Sequence, residues 1–138
     1  MYLWHATRDG EYSMYSGDVA NENFLRGVQE AGSDGTVTFQ TIFPGCYDGR
    51  WPHIHFEVYS TLADTSSGAK PLVTSQLAMP KDSCDVAYTA DGYSTSITNL
   101  AKTSLTSDNV FGDGADFQLP TITGDITAGF VASLSVAV

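Results

Sequence analysis

The most informative part of the sequence is HIHFEVY at residues 53–59. Its residues alternate in character, which is typical of a β-strand whose successive side chains point to opposite faces. One face would carry Ile54, Phe56 and Val58, and the other would carry His53, His55, Glu57 and Tyr59. We therefore predict a strand with apolar side chains on one face and ionisable side chains, including both histidines, on the other.

Similar short segments of apolar or alternating residues lie before and after this strand in the sequence. They predict further strands over residues 1–5, 36–43 and 72–79, and a long half-buried strand over 126–138. The predicted loops cover residues 13–35, with one helical turn, and 81–106, with several short ones. The chain has 14 Ser, 15 Thr and 13 Gly among 138 residues, which favours short strands and turns over helices. The predicted fold class is all-β, either a β-sandwich or a small barrel.

Length and charge restrict the possible functions. A chain of 138 residues is long enough for one domain and short for two, so residues 1–138 are predicted to form a single domain. Six Lys and Arg against 16 Asp and Glu give a formal charge of −10. We therefore expect no nucleic-acid partner and no anionic membrane partner. The sequence shows no apolar stretch of spanning length and no signal-peptide pattern.

His53 and His55 are candidate metal ligands. Imidazoles at positions i and i+2 of a strand project the same way and can converge on one ion, although solvated or core histidines are the commoner outcome. A zinc site would need further donors, and His5, Cys46 and Cys84 do not follow zinc-finger spacing. We assign His5 to this commoner outcome, a solvated or core histidine, and not to a metal site.

Tyrosines supply the remaining oxygen donors near this pair. Tyr47 follows the Pro44-Gly45 turn, and Tyr12 follows the Asp9-Gly10 turn. A phenol with a pKa near 10 needs a strong Lewis acid such as ferric iron before its phenolate binds at neutral pH. Two phenolates, two neutral imidazoles and one hydroxide would make a neutral Fe(III) site. Spacing alone does not single out these two tyrosines, because each could equally be a core or rim aromatic.

Several motifs in one order resemble the intradiol ring-cleavage dioxygenases, which include catechol and protocatechuate dioxygenases. The resemblance runs from Leu3 to Phe56, with a weaker match at Thr74-Ser75-Gln76. The matching motifs are LWH at 3–5, GEYS at 10–13, NFLRG at 23–27, FQTI at 39–42, PGCY at 44–47 and RWPHIH at 50–55. The resemblance implies a β-sandwich and a non-haem Fe(III) cofactor. It also implies cleavage of catechol-type rings with O2 to cis,cis-muconate-type products.

The same resemblance implies roles for individual residues. The implied iron ligands are Tyr12, Tyr47, His53 and His55. Arg50 would oppose negative charge on the substrate ring, Tyr47 would accept a substrate proton, and Gln76 would line the oxygen side of the pocket. Trp51 is a candidate substrate-binding residue, with Trp4 as a further aromatic at the pocket. For Arg50, Gln76 and the tryptophans, ordinary surface or core packing is the alternative.

The sequence departs from the family in two places. The interval from Tyr47 to His53 is short and no helical linker precedes the motifs, which is more similar to the compact secreted branch, so we expect an extracellular protein. The chain also starts inside its first strand, so we expect that the first strands of the family domain are missing. A fused carbohydrate-binding domain or a homo-oligomer is a possible partner.

Two further interpretations remain open. Cys46 and Cys84 could form one disulfide in an oxidising compartment, or they could be two buried thiols. The chain could also be a non-catalytic β-sandwich that binds carbohydrate or an aromatic polymer on exposed aromatic side chains. Metal content and catechol-dependent oxygen uptake distinguish that module from a dioxygenase.

Overall fold

The computed structural model describes residues 1–138, which form six strands, two α-helices and two short 3-10 helices. The strands are β1 (Tyr2–His5), β2 (Arg26–Val28), β3 (His53–Val58), β4 (Val73–Ala78), β5 (Thr121–Asp125) and β6 (Gly129–Ser133). The helices are α1 (Lys81–Ala87) and α2 (Ser94–Leu100), and the 3-10 helices cover Gly17–Val19 and Ala63–Ser66. Neither α-helix is long and apolar enough to cross a membrane.

The main sheet is antiparallel and has the strand order β2-β1-β3-β4. In its register, Trp4 of β1 lies opposite His55 of β3, and His55 lies opposite Gln76 of β4. Directly opposed residues point to the same side of a sheet. Trp4, His55 and Gln76 therefore form one row across the face that carries the two strand histidines. Strands β5 and β6 form a separate antiparallel hairpin.

The hydrophobic core lies between the central strands, the two helices and the segment that follows them. Only 23 of the 138 residues are buried, so few contacts stabilise the fold. A substitution at one of these buried residues therefore removes a large part of the free energy of unfolding. Twelve of these residues form one cluster: Cys46, Trp51, Ile54, Ala78, Met79, Cys84, Ala87, Tyr88, Tyr93, Leu100, Phe111 and Ala115.

Polar side chains from the helical region hold the backbone of residues 43–46, which we call the 43–46 turn. The four hydrogen bonds run from Tyr88 Oη to Pro44 O (3.0 Å), from Tyr93 Oη to Phe43 O (2.7 Å), from Cys46 N to Ser96 Oγ (2.8 Å) and from Asn99 Nδ2 to Cys46 O (2.9 Å). Each bond satisfies a backbone group that has no strand partner. The turn that precedes Tyr47 is therefore fixed by residues 40 or more positions later in the sequence.

The sequence-based fold class is confirmed, because the sheets are antiparallel and the molecule is mostly β with two short helices. Strands predicted over 1–5, 53–59 and 72–79 are found as β1, β3 and β4. The helical turns predicted within 81–106 are the helices α1 and α2. Strand β2 was not predicted and lies inside the expected loop 13–35.

Two strand predictions were wrong. Residues 36–43 belong to no ladder, although Val37 and Phe39 are half-buried there. Alternation reports which side chains are buried, whereas a strand also needs a neighbour for its backbone groups. The long strand predicted over 126–138 is instead the short β6 preceded by a turn, because Asp125 Oδ1 accepts hydrogen bonds from the backbone N–H groups of Thr127 and Ala128 and closes the hairpin.

Two glycines let the turns that carry Tyr12 and Tyr47 touch each other. A Cβ at Gly45 would collide with the carbonyl oxygen of Thr7 and would lie 2.8 Å from that of Arg8. Gly10 has a φ of +89°, and a Cβ there would lie 3.0 Å from the Cβ of Tyr47. Only a residue without a side chain fits this crossing of two backbones.

We expect Gly45→Ala to destabilise the protein by about 2–3 kcal/mol, because the backbone of residues 7 and 8 must move to admit the methyl group. Urea unfolding followed by tyrosine and tryptophan fluorescence measures this change. Gly27→Ala is the matched control, since a Cβ there makes only ordinary 3.6 Å contacts with the Phe39 ring. Equal stability of the two variants would contradict the close crossing.

Candidate metal centre

Strand β3 places its two histidines side by side. His53 and His55 share one face, and their Nε2 atoms are 3.0 Å apart. The ring of His55 stacks on Trp4 of the neighbouring strand, with centroids 4.7 Å apart and planes 3° from parallel. The strand period therefore brings the two imidazoles together, and the adjacent indole fixes the ring plane of one of them.

Tyr12 and Tyr47 complete a four-residue cluster. Their hydroxyl oxygens lie 3.2 Å and 3.5 Å from His53 Nε2, and their rings meet edge to face at 5.6 Å. Metal–ligand bonds of roughly 2 Å place neighbouring ligand atoms roughly 3 Å apart. The four predicted ligands are thus close enough for their donor atoms to bind one ion.

The protonation of His53 supports this arrangement. Its Nδ1 lies at hydrogen-bond distance from the carbonyl oxygen of Trp51, and because a carbonyl can only accept, Nδ1 carries the hydrogen. Its Nε2 therefore has a free lone pair, which faces three other polar groups at once. A backbone carbonyl that orients the far side of an imidazole is the usual support for a metal-binding histidine.

Burial sets the charge state of the cluster. Desolvation lowers the pKa of His53 to about 4, and desolvation together with the nearby His53 lowers the pKa of His55 to about 3. Burial also raises the pKa of Tyr12 above its usual value of 10, and the adjacent Tyr47 adds to that shift. At pH 7 both imidazoles are neutral and able to donate electron pairs, whereas Tyr12 binds as phenolate only to a strongly polarising cation.

Arg50 lies beside the cluster and bonds to three groups. Its Nη1 donates to Tyr47 Oη (3.2 Å), its Nη2 donates to Gln76 Oε1 (2.6 Å), and its Nε donates to Asp108 Oδ2 (2.8 Å). Arg50 and Gln76, both predicted as site residues, are thus connected to Tyr47 of the four-residue cluster. They carry a positive charge and a polar amide to its edge.

Sequence reasoning missed Asp108. It lies 58 residues after Arg50, in a polar segment with other aspartates nearby, and no motif marks it. The one local signal is its turn chemistry: its side chain accepts from the backbone N–H groups of Val110 and Phe111, as an aspartate before a tight turn often does.

Trp51 does not line the site, which corrects its prediction as a substrate-binding residue. It is 4% exposed, belongs to the core cluster, and its Nε1 donates to the carbonyl oxygen of Met79. Trp4, which is half-buried against His55, is the indole at the cluster. His5 is buried and its ring nitrogens contact Ala6 O and Thr41 Oγ1, so of the two outcomes expected for it, solvated or core, it is a core histidine.

The structure records Cys46 and Cys84 as free, buried thiols, which is the second of the two interpretations left open by the sequence and not the candidate disulfide. Burial raises the pKa of Cys46 to about 12, and it also raises the pKa of Cys84. Thiols of this kind are weak nucleophiles and pack as small apolar groups. Both belong to the core cluster, beside the turn that carries Tyr47.

The fold is that of solved intradiol dioxygenases. An intradiol ring-cleavage dioxygenase from Tetranychus urticae superimposes with a TM-score of 0.79 at 23% identity, covering 99% of this chain and 68% of that one. A second crystal structure, also described as a dioxygenase, gives a TM-score of 0.73 at 24% identity, covering 88% of this chain and 61% of that one.

Sequence comparison points the same way over a shorter region. A chlorocatechol 1,2-dioxygenase from Rhodococcus opacus is 29% identical over 91 residues, covering 52% of this chain. The chain spans 33% of the length of that bacterial relative. No protein-family profile matches the chain. The resemblance to intradiol ring-cleavage dioxygenases noted from the motifs is therefore confirmed, and it extends to the fold.

We expect the metal-free protein to lose stability as the pH falls from about 6.5 to about 4. In this pH window His53 takes up a proton in the unfolded chain but stays neutral in the folded protein. Proton binding therefore lowers the free energy of unfolding by up to about 3 kcal/mol. Urea unfolding of chelator-treated protein at several pH values gives the slope. His53→Gln should show a shallower slope, and a wild-type curve that is flat over this range would contradict a buried neutral imidazole.

Proposed function

We propose that this protein is a non-haem Fe(III) intradiol dioxygenase that opens catechol-type rings. The observation that carries the proposal is the convergence of Tyr12, Tyr47 and His55 on the lone pair of His53 Nε2, within 3.5 Å. Two phenols and two neutral imidazoles form a donor set that suits a trivalent hard cation better than zinc. The fold of intradiol dioxygenases and the chlorocatechol 1,2-dioxygenase relative support the same reaction class.

The charge balance of the donor set fits ferric iron. Two phenolates cancel two of its three positive charges, and one hydroxide cancels the third, so no net charge is buried. Ferric iron bound there would supply the Lewis acidity that withdraws electron density from a catechol through its oxygens. Because the His53 and His55 side chains are neutral at pH 7, they need not lose a proton before they bind.

Tyr47 is the proposed proton acceptor. Its hydroxyl lies at the edge of the cluster, at 3.5 Å from His53 Nε2, and it also accepts a hydrogen bond from Arg50 Nη1. As a phenolate it could take one catechol proton at Oη while a hydroxide takes the other. The charge of the site is then unchanged when a dianionic catechol replaces these two anions.

Arg50 is the proposed electrostatic catalyst. Its guanidinium is permanently charged and already lies beside Tyr47, where negative charge would accumulate as the ring reacts with O2. Gln76 Oε1 accepts from Nη2 and places an amide on the same side. The expected product is a cis,cis-muconate-type diacid that contains both atoms of O2.

The iron is tested by metal analysis and colour. We expect protein reconstituted aerobically with iron to bind about one equivalent and to show a visible tyrosinate-to-Fe(III) absorption band. Tyr47→Phe should shift and weaken the band, because one of the two phenolates is lost. Tyr59→Phe is the matched control, since the Tyr59 hydroxyl bonds to Glu57 away from the cluster. A colourless wild-type protein that is fully loaded with iron would exclude the two tyrosines as ligands.

Oxygen uptake tests the reaction. We expect catechol-dependent oxygen consumption that His53→Ala abolishes and Tyr47→Phe lowers about 100-fold or more, as loss of a positioned acid–base group does. An oxygen electrode with a panel of substituted catechols, together with product spectra, measures both effects. Retention of a polysaccharide without iron binding or oxygen uptake would instead support the carbohydrate-binding module.

A further inference from the structure

Asp108 is the most deeply buried charged group in the molecule that the proposed chemistry does not use. Its side chain is 0% exposed and accepts four hydrogen bonds. Oδ2 accepts from Arg50 Nε (2.8 Å) and from the backbone N–H of Trp51 (2.7 Å), whereas Oδ1 accepts from the backbone N–H groups of Val110 (2.8 Å) and Phe111 (3.1 Å). A carboxylate with this many donors is ionised and cannot rotate.

These contacts attach the carboxylate to two separate parts of the backbone. Through Trp51 N it is tied to the residue whose carbonyl orients His53, and through Val110 and Phe111 it is tied to its own turn. Phe111 is 1% exposed and packs 6.3 Å from the His53 ring, centroid to centroid. Asp108 is therefore fixed by backbone groups and presents a fixed negative charge to Arg50.

Each part of the Arg50 guanidinium has a separate acceptor. Nε bonds to Asp108, Nη2 to Gln76 and Nη1 to Tyr47, so one orientation satisfies all three. The Arg50 side chain is 14% exposed, and without Asp108 it would gain freedom to turn towards solvent. Of the three acceptors, Asp108 is the carboxylate, and its side chain has no exposed surface, so it makes a charge-assisted contact of low mobility.

We infer that Asp108 is a positioning residue that holds the Arg50 guanidinium against Tyr47 for the reaction, an inference that rests on the proposed function. The Asp108 carboxylate makes no hydrogen bond to the four candidate ligands, and the one side chain that it bonds is Arg50, so it acts through Arg50. Its negative charge also balances that of the arginine, which leaves the neutral charge count of the metal cluster unaltered.

A double-mutant cycle tests this inference in the iron-loaded protein. We expect Asp108→Asn to lower kcat about 10- to 100-fold with a smaller change in KM, and to have less than about a twofold effect in an Arg50→Ala background. Asp85→Asn is the control, because it makes the same carboxylate-to-amide change in an exposed ion pair with Lys81 and should leave kcat unchanged. If the Asp108→Asn and Arg50→Ala effects multiply, Asp108 acts independently of Arg50 and the inference is wrong.

A second measurement uses the metal-free protein and does not depend on activity. The chain has three arginines, Arg8, Arg26 and Arg50, so the Nε–H signals can be resolved by ¹⁵N NMR and assigned with Arg50→Lys. We expect hydrogen exchange at Arg50 Nε–H to be slower than at the exposed Arg8 and about tenfold faster in Asp108→Asn than in wild type. Asp108→Glu replaces Asp108→Asn if the latter does not fold.

The two measurements separate this inference from the proposed function. A wild-type protein that consumes no oxygen with any catechol overturns the dioxygenase, whereas slow exchange at Arg50 that depends on Asp108 still supports the positioning contact. Exchange at Arg50 Nε–H as fast as at Arg8 in wild type overturns the contact, whether or not oxygen is consumed.

Discussion

The close crossing of two backbone turns is the constraint on which the site depends. Gly45 lies against the carbonyl groups of Thr7 and Arg8, and Gly10 lies against Tyr47. Without this contact, Tyr12 and Tyr47 would stand on separate turns with no reason to meet. The strand β3 supplies the two histidines by its period alone, but the oxygen donors reach them only because two backbone segments approach each other without side chains between them.

The fold class and most residues of the candidate site could be predicted from the sequence. His53 and His55 follow from strand period, and Tyr12 and Tyr47 followed from the order of motifs rather than from spacing. Trp51 was predicted at the wrong place because an indole fits a substrate pocket and a hydrophobic core equally well. Its Nε1 donates a hydrogen bond to the carbonyl oxygen of Met79 in the core, and no local sequence pattern predicts that contact. Asp108 was missed because its partner is 58 residues away.

The errors in the fold have a related cause. Residues 36–43 alternate like a strand, yet a ladder depends on which chain lies alongside, and that is a property of the whole molecule. Strand β2 has only three residues, too few for a periodic signal. Strands were therefore predicted correctly where β1 pairs with β3 and β3 pairs with β4. The prediction failed where pairing was absent or very short.

The hydrogen bonds that hold the 43–46 turn have a consequence for biosynthesis. All four candidate ligands lie within the first 55 residues, but Tyr88, Tyr93, Ser96, Asn99 and Asp108 fix the backbone and the arginine around them. Contacts this distant in sequence form late and slowly. A nascent chain that has emerged only as far as β4 already contains all four candidate ligands and still lacks the later residues that hold the 43–46 turn and Arg50. The candidate site therefore gains its full set of supporting hydrogen bonds only after translation has passed residue 108.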